Sequence, residues 1–336
     1  MRYKSILFGV IILLLFALNA YCLSNRNVGF EFLNDAFFDK DNKISSSCAI
    51  LLHSNFARSW EEFGKWGSKL ENIDEYLGGA KNLYHRITFS VGQLIQTPDD
   101  LDRSDLIEDD VPYAGLLVGT INFYSFNSQK FNGLQLVLGV VGPLSLAEQT
   151  QKLAHNKDPK GWTHQLHTEP ILNLNFMVKR KLFKYEFNDG LSLDLDAGSH
   201  AGVGNLFTEA SLVTDFRFGY NLPIGFTYNP YPVGFNLNYN AEIPRNKDKC
   251  SFYITLGIGT TGFVRNLLFD GNTFRESHSI DKKNFVAQFF GGIHFVKGRF
   301  ALRFYAFVTT DDVDIDINYK GAHNERFGTI LLEWAF

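Results

Sequence analysis

The chain has 336 residues, 32 basic and 36 acidic, and its formal charge of −4 excludes a nucleic-acid binder that works by bulk positive charge. Hydrophobic residues at 45% against 20% charged exclude a disordered chain, and Phe, at 33 copies against two Met, dominates the apolar content. A mean hydropathy of −0.10 is too polar for a bundle of membrane helices.

Arg2 and Lys4 precede an apolar run from Ile6 to Leu18, and Asn19-Ala20-Tyr21-Cys22 follows with small residues at cleavage positions. The pattern predicts a secretory signal peptide over 1–22, the run being shorter than the roughly 20 residues of a membrane span. An uncleaved N-terminal anchor is the alternative. The exported body, 23–336, keeps Cys48 and Cys250. Two cysteines far apart in sequence do not make a disulfide scaffold.

Beyond the leader the dominant period is two. Ile87, Phe89 and Val91 oppose Arg86, Thr88 and Ser90; Leu172, Leu174, Phe176 and Val178 oppose Asn173, Asn175, Met177 and Lys179; Leu191, Leu193 and Leu195 oppose Ser192, Asp194 and Asp196. Phe300, Leu302, Phe304, Ala306 and Val308 face away from Arg303 and Tyr305, and Trp334, Leu332 and Ile330 face away from Glu333 and Thr329. Alternation alone also suits a soluble sandwich. Strands of about 9 to 11 residues, aromatic residues near their ends and a chain that stops on Phe336 favour a membrane barrel. The expected fold is all-β: a transmembrane antiparallel β-barrel of about 12 strands with short helices in the loops.

The strands are expected near 27–37, 46–55, 84–94, 112–123, 131–141, 168–182, 190–198, 206–219, 251–266, 283–296, 298–309 and 325–336. With both termini in the periplasm, 38–46, 95–111, 142–167, 199–205, 267–282 and 310–324 become outer loops. Two connections on the other side are long: 56–83, with Trp60, Trp66 and Leu70, reads as partly helical, and 220–250, with Tyr228-Asn229-Pro230-Tyr231-Pro232, as holding an extra hairpin.

In the loop 142–167, Ser145 and Glu148 have capping-box spacing ahead of a short helix that His155 closes. Leu146, Thr150 and Leu153 form one stripe of it, and Glu148, Gln151 and His155 another. A histidine on a polar stripe can serve as a base near neutral pH or merely cap the helix. Asn34-Asp35 ends the first strand, as a turn pair would, and Ser45-Ser46-Ser47 opens the next, where hydroxyls would stand beside that pair. His164, His167 and Glu169 match no standard zinc spacing. The acidic run Asp99, Asp100, Asp102, Asp105, Glu108, Asp109 and Asp110 lacks the glycine and terminal Glu of an EF-hand loop and reads as solvated.

In order along the chain, Asn34-Asp35-Ala36-Phe37-Phe38, Ser45, Asp110-Val111-Pro112-Tyr113-Ala114-Gly115, Gly139-Val140-Val141-Gly142-Pro143, Glu148 to His155, Gly161-Trp162, and Arg265-Asn266 through Asp270-Gly271-Asn272 resemble the lipid A 3-O-deacylase family of the LpxR type. The resemblance covers most of the body. It implies a twelve-stranded outer-membrane barrel that hydrolyses the ester-linked 3′ acyl or acyloxyacyl group of lipid A with the help of Ca2+. It assigns His155 as the base that activates water, Asn34 and Asp35 to the placement of calcium and the oxyanion, and Ser45 to a hydroxyl position.

The chain also departs from the family pattern. Val111 replaces an Arg, Ser46-Ser47 replace Asn-Gly, and the interval from His155 to Trp162 offers only Asp158 for a family Glu, with Glu148 a weaker candidate. The resemblance implies lipopolysaccharide and outer-membrane lipid as partners, assembly through the Phe336 strand by the barrel assembly machinery, a monomer and no nucleic acid. A non-catalytic porin or adhesin, and a phospholipase or acyltransferase barrel, are the alternatives.

Overall fold

The computed structural model describes residues 27–34, 44–65, 67, 69–70, 83–154, 159–228, 239–314 and 325–335. Fourteen strands are described, β1 (Asn27–Asn34), β2 (Ile44–His53), β3 (Tyr84–Gln96), β4 (Ala114–Phe126), β5 (Lys130–Val141), β6 (Glu169–Glu186), β7 (Leu191–Gly204), β8 (Phe207–Tyr220), β9 (Ile224–Tyr228), β10 (Tyr239–Ile243), β11 (Ser251–Asn266), β12 (Phe285–Lys297), β13 (Phe300–Thr309) and β14 (Arg326–Ala335). Twelve of them form one closed barrel in the order β1-β14-β13-β12-β11-β8-β7-β6-β5-β4-β3-β2. β1 closes the sheet on β14, with Asn27 opposite Ala335 and Asn34 opposite Gly328. Closure leaves no free edge, so every spanning backbone group can be paired inside the bilayer.

The predicted alternation is the radial direction of each side chain. Along β11, Phe252, Ile254, Leu256 and Ile258 are exposed, while Tyr253 and Thr255 between them are buried. On β6 and β7, Lys179, Asp194 and Asp196 are buried in the lumen, and Leu172 and Leu191 lie outside. The exposed apolar face is the one that meets lipid. Aromatic side chains gather at the end that carries the termini, where Phe300 packs edge-on to Trp334 at 6.0 Å and Tyr185 on Phe187 at 4.8 Å. This is the interfacial girdle expected of a membrane barrel.

Not all of the Phe content faces outwards. Phe126, Phe131, Phe226, Phe307 and Phe327 are buried in the lumen, with Phe307 stacked on Phe327 at 5.1 Å.

The connection between β8 and β11 contains the expected hairpin, and it does not change the count because β9 and β10 form a separate two-stranded sheet. That hairpin fills the barrel at the termini end. Phe226 and Ala241 are fully buried, and Phe226 packs against Phe131 at 6.2 Å. Arg217 of the wall donates to Glu242 at 2.6 Å and to the Gly225 carbonyl at 2.8 Å. Arg303 and the Tyr253 hydroxyl reach the other Glu242 oxygen at 3.1 and 2.7 Å. Buried charges are tolerated only when paired and hydrogen-bonded, and each of these groups has both.

The β2–β3 connection begins with a single helical turn, Trp60–Phe63, capped by Ser59, and the buried Trp60 ring lies 4.7 Å from His85. Trp66 is outside the described residues, as are the predicted leader and Phe336. No described helix is long and apolar enough to cross a membrane.

Candidate functional site

At the end away from the termini, alternation carries polar side chains onto the lipid-facing wall. Phe30 of β1 is exposed on that wall, and Asn34, four residues on, shares its face and is half-buried. On β2, Ile50 is exposed, Cys48 stands on the same face opposite Phe32 and Gln93, and Ser46 continues that face towards the rim. Gln93 of β3 follows Val91 outwards by the same period. Asn34, Ser46, Cys48 and Gln93 therefore stand outside the barrel, on three neighbouring strands.

A short helix lies against this wall. After β5 the chain reverses at Gly142, whose N–H donates to the Gly115 carbonyl at 2.9 Å and whose φ of 88° suits glycine. A single turn, Pro143–Ser145, leads to α1 (Ala147–Ala154). Gly115, paired with Ile95 on the outside face of β4, lets the helix approach: a β-carbon there would stand 2.2 Å from both the Ala147 β-carbon and the Ser145 hydroxyl oxygen. Gln93 donates through Nε2 to the Ser145 carbonyl at 2.7 Å. Ile95, Tyr113, Ala147 and Trp162 form a small core outside the barrel, separate from the lumen core. Within it Tyr113 and Trp162 lie 5.1 Å apart, and the buried Trp162 Nε1–H donates to Gln151 Oε1 at 2.8 Å. Burial raises the Tyr113 phenol to about 12, so it stays a neutral hydroxyl at physiological pH.

The helix differs from its sequence reading at its cap. Ser145 lies in the preceding turn and accepts from the Ala147 N–H at 3.3 Å, while Leu146 adopts a left-handed φ of 61° and Glu148 pairs with Lys152 at 2.8 Å, so there is no capping box. The stripe of Leu146 and Leu153 points away from the wall, with Leu153 90% exposed, whereas Ala147 and Gln151 face the strands. Against a barrel whose surroundings are hydrocarbon, leucines gain by facing lipid, and the close approach to the wall needs a small side chain.

Of the predicted site residues, Asn34 is on the outside wall next to the β2 face. Ser45 belongs to β2 at a register shift between Ile44 and Ser46, and its side chain is outside the described residues. Asp35, His155 and Asp158 also lie outside them; His155 follows directly on the last residue of α1. Ser46 is the described hydroxyl on the Asn34 face, one of the three serines expected beside that pair, whereas Gln93 was passed over by the motif reading although counting by twos along β3 finds it. Glu169 is not available as a zinc ligand, because its carboxylate accepts from the Thr273 and Phe274 N–H groups at 2.9 and 3.1 Å.

In the acidic run Asp110 is buried and accepts from the Val111 and Asp99 N–H groups, and Arg103 holds Asp105 below the usual carboxylate range. No group of three or more His, Cys, Asp or Glu arranged for a metal occurs among the described residues. Cys48 and Cys250 are free.

The sequence matches the family described as outer membrane protein LpxR over residues 6–336. The chain belongs to that family. Its fold is that of LpxR from Salmonella typhimurium, with a TM-score of 0.73 at 13% identity over 92% of this chain and 100% of that one. The β domain of the Bordetella autotransporter Brka aligns with a TM-score of only 0.40 at 8% identity, over 93% of this chain and 97% of that one. No curated protein matches the sequence. Family membership and the closed barrel place the chain in the bacterial outer membrane, in agreement with the sequence expectation.

Proposed function

We propose that the chain is a lipid A 3′-O-deacylase that works on the lipid-facing wall of its barrel. The observation that carries this is the seating of α1 on the outside of β3 and β4, on the face that also bears Asn34, Ser46 and Gln93. A hydrolase of a membrane lipid needs polar groups where the acyl chain enters the headgroup region, and the outside wall at the loop end is such a place. The lumen is not, since it is packed with buried side chains such as Arg217, Lys179 and Phe226.

His155, next in sequence after the last residue of α1, takes a proton from water, and the oxygen so activated attacks the carbonyl carbon of the 3′ ester. The tetrahedral centre collapses with rupture of the bond to the sugar oxygen, which regains the proton from the imidazolium. One fatty acid and one sugar hydroxyl result, with no acyl-enzyme; the chain has no Gly-x-Ser-x-Gly nucleophile motif. The candidate calcium ligands are oxygen donors throughout: the Asn34 amide on the wall, Asp35 beside it in sequence, and Asp158 after α1. That set fits a hard cation, and calcium bound there would stabilise charge on the ester oxygen. Ser45 matches the family hydroxyl position, and Ser46 stands on the Asn34 face.

Mass spectrometry of lipid A from cells expressing the protein tests the reading. Loss of one 3′ acyl or acyloxyacyl group, abolished by His155→Ala, is expected; an unchanged spectrum with folded protein in the outer membrane rejects it. A phospholipase or acyltransferase would use the same wall, and phospholipid substrates assayed in parallel separate those activities. A porin is disfavoured by the packed lumen, where Arg217, Lys179 and Phe226 are fully buried.

A further inference from the structure

Round the barrel from β1, on the side away from α1, come β14, β13 and β12. Arg326 opens β14 at the loop end and is exposed. Gly328 is paired with Asn34, and alternation puts Arg326 on the same outside face, two residues nearer the rim. Two residues along a strand and one strand across correspond to about 8 Å between α-carbons. The Arg326 side chain has no ion pair or hydrogen bond among the described residues.

Beside this guanidinium, across the neighbouring strands, the wall is greasy. Arg326 is opposite Val308, and Val308 is opposite Phe289, both exposed on the outside face. Phe289, Val308 and the 78% exposed Phe285 line a groove of about 520 Å3, whose rim carries Lys283, Thr310 and Asp311. Lys283 is paired with Asp314, whereas no described group pairs with the Arg326 guanidinium.

We infer that this wall is the dock for the phosphorylated end of the lipid substrate. Arg326 contacts a phosphate, and an acyl chain not being cut lies in the groove over Phe289 and Val308. A guanidinium fork suits a phosphate, the apolar part of the groove suits a chain, and the pairing of Arg326 with Val308 sets the two side by side at the loop end of the wall. α1 bounds the face one strand beyond β2, so a headgroup seated at Asn34 and Ser46 is taken to extend the other way, over β14 to β12. The inference rests on the reading of the Asn34 face as the deacylation centre.

The test compares the full-length barrel in detergent with its Arg326→Glu and Arg326→Lys variants, each shown folded by heat-modifiable gel mobility. Binding of bisphosphorylated lipid A and of enzymatically dephosphorylated lipid A is measured by native mass spectrometry, with fatty-acid release followed in parallel. Arg326→Glu should weaken binding of the phosphorylated lipid about fivefold to tenfold and leave the dephosphorylated lipid unchanged, and Arg326→Lys should recover much of the loss. Unaltered binding by Arg326→Glu, or equal loss for both lipids, overturns the dock. If the wild-type protein binds phosphorylated lipid through Arg326 but releases no fatty acid, the deacylase reading fails and the phosphate contact stands. If it releases fatty acid while Arg326→Glu keeps wild-type binding, the dock alone fails.

Discussion

The indole Nε1–H of Trp162 donates to the side-chain oxygen of Gln151 at 2.8 Å, outside the barrel. One residue belongs to α1 and the other to the turn Gly161–His164 that brings the chain back to β6. The two ends of the segment that contains His155 and Asp158 are thereby tied to one point on the wall. The described residues on either side of the proposed base are thus joined by a hydrogen bond between two side chains of no chemical reactivity.

Gln151→Leu should leave the indole N–H buried without an acceptor, at a local cost of about 1–3 kcal/mol. The barrel, closed by its twelve strands, should keep its gel mobility. Deacylation should fall about tenfold or more through misplacement of His155, with a shift in tryptophan emission as the structural readout.

Gly115→Val tests the seating of α1 directly. Any β-carbon there meets Ala147 and Ser145 at 2.2 Å, so the helix must leave the wall while β4, which accepts valine readily, stays paired. Folded protein with a large loss of fatty-acid release is expected; retained activity would show that contact between α1 and the wall is dispensable.

Glu242→Ala should act on the plug and not on the site. It removes the carboxylate that satisfies Arg217, Arg303 and the Tyr253 hydroxyl, leaving two buried guanidiniums short of a partner, a change of about 3–5 kcal/mol in other buried pairs. A lower temperature for the folded-to-unfolded gel shift is expected, together with single-channel conductance in planar bilayers above that of the wild-type protein. Lipid A deacylation by the surviving folded fraction should be close to normal, because the site is outside the barrel.

Calcium removal should stop fatty-acid release without unfolding the barrel. Chelation followed by return of calcium should restore activity, and Asp35→Asn should raise the calcium concentration needed for half-maximal rate. Activity that persists in excess chelator would dismiss the cation from the mechanism.

Most of the barrel was legible in the sequence because a strand between lipid and a polar lumen must alternate at every step, as in Phe252, Tyr253, Ile254 and Thr255 of β11. Even the hairpin between β8 and β11 announced itself through the length and Pro content of its connection. The sequence named two stripes on α1 but not which of them meets the wall. A stripe of Leu146 and Leu153 normally marks the side turned to protein, but beside a bilayer it marks the side turned to lipid. The Asn34 and His155 candidates came from ordered motifs and not from periodicity, which treats Asn34 as a strand end.

The sequence by itself determined the strand pattern, the membrane class and the family, since each is written in local order along the chain. Only the tertiary structure decided that Asn34, Ser46 and Gln93 share the lipid-facing wall with α1, that Arg326 stands beside them, and that Glu242 locks a plug into the lumen. Those relations depend on register between strands and on closure of β1 against β14, and a shift of one residue would turn each side chain to the opposite face.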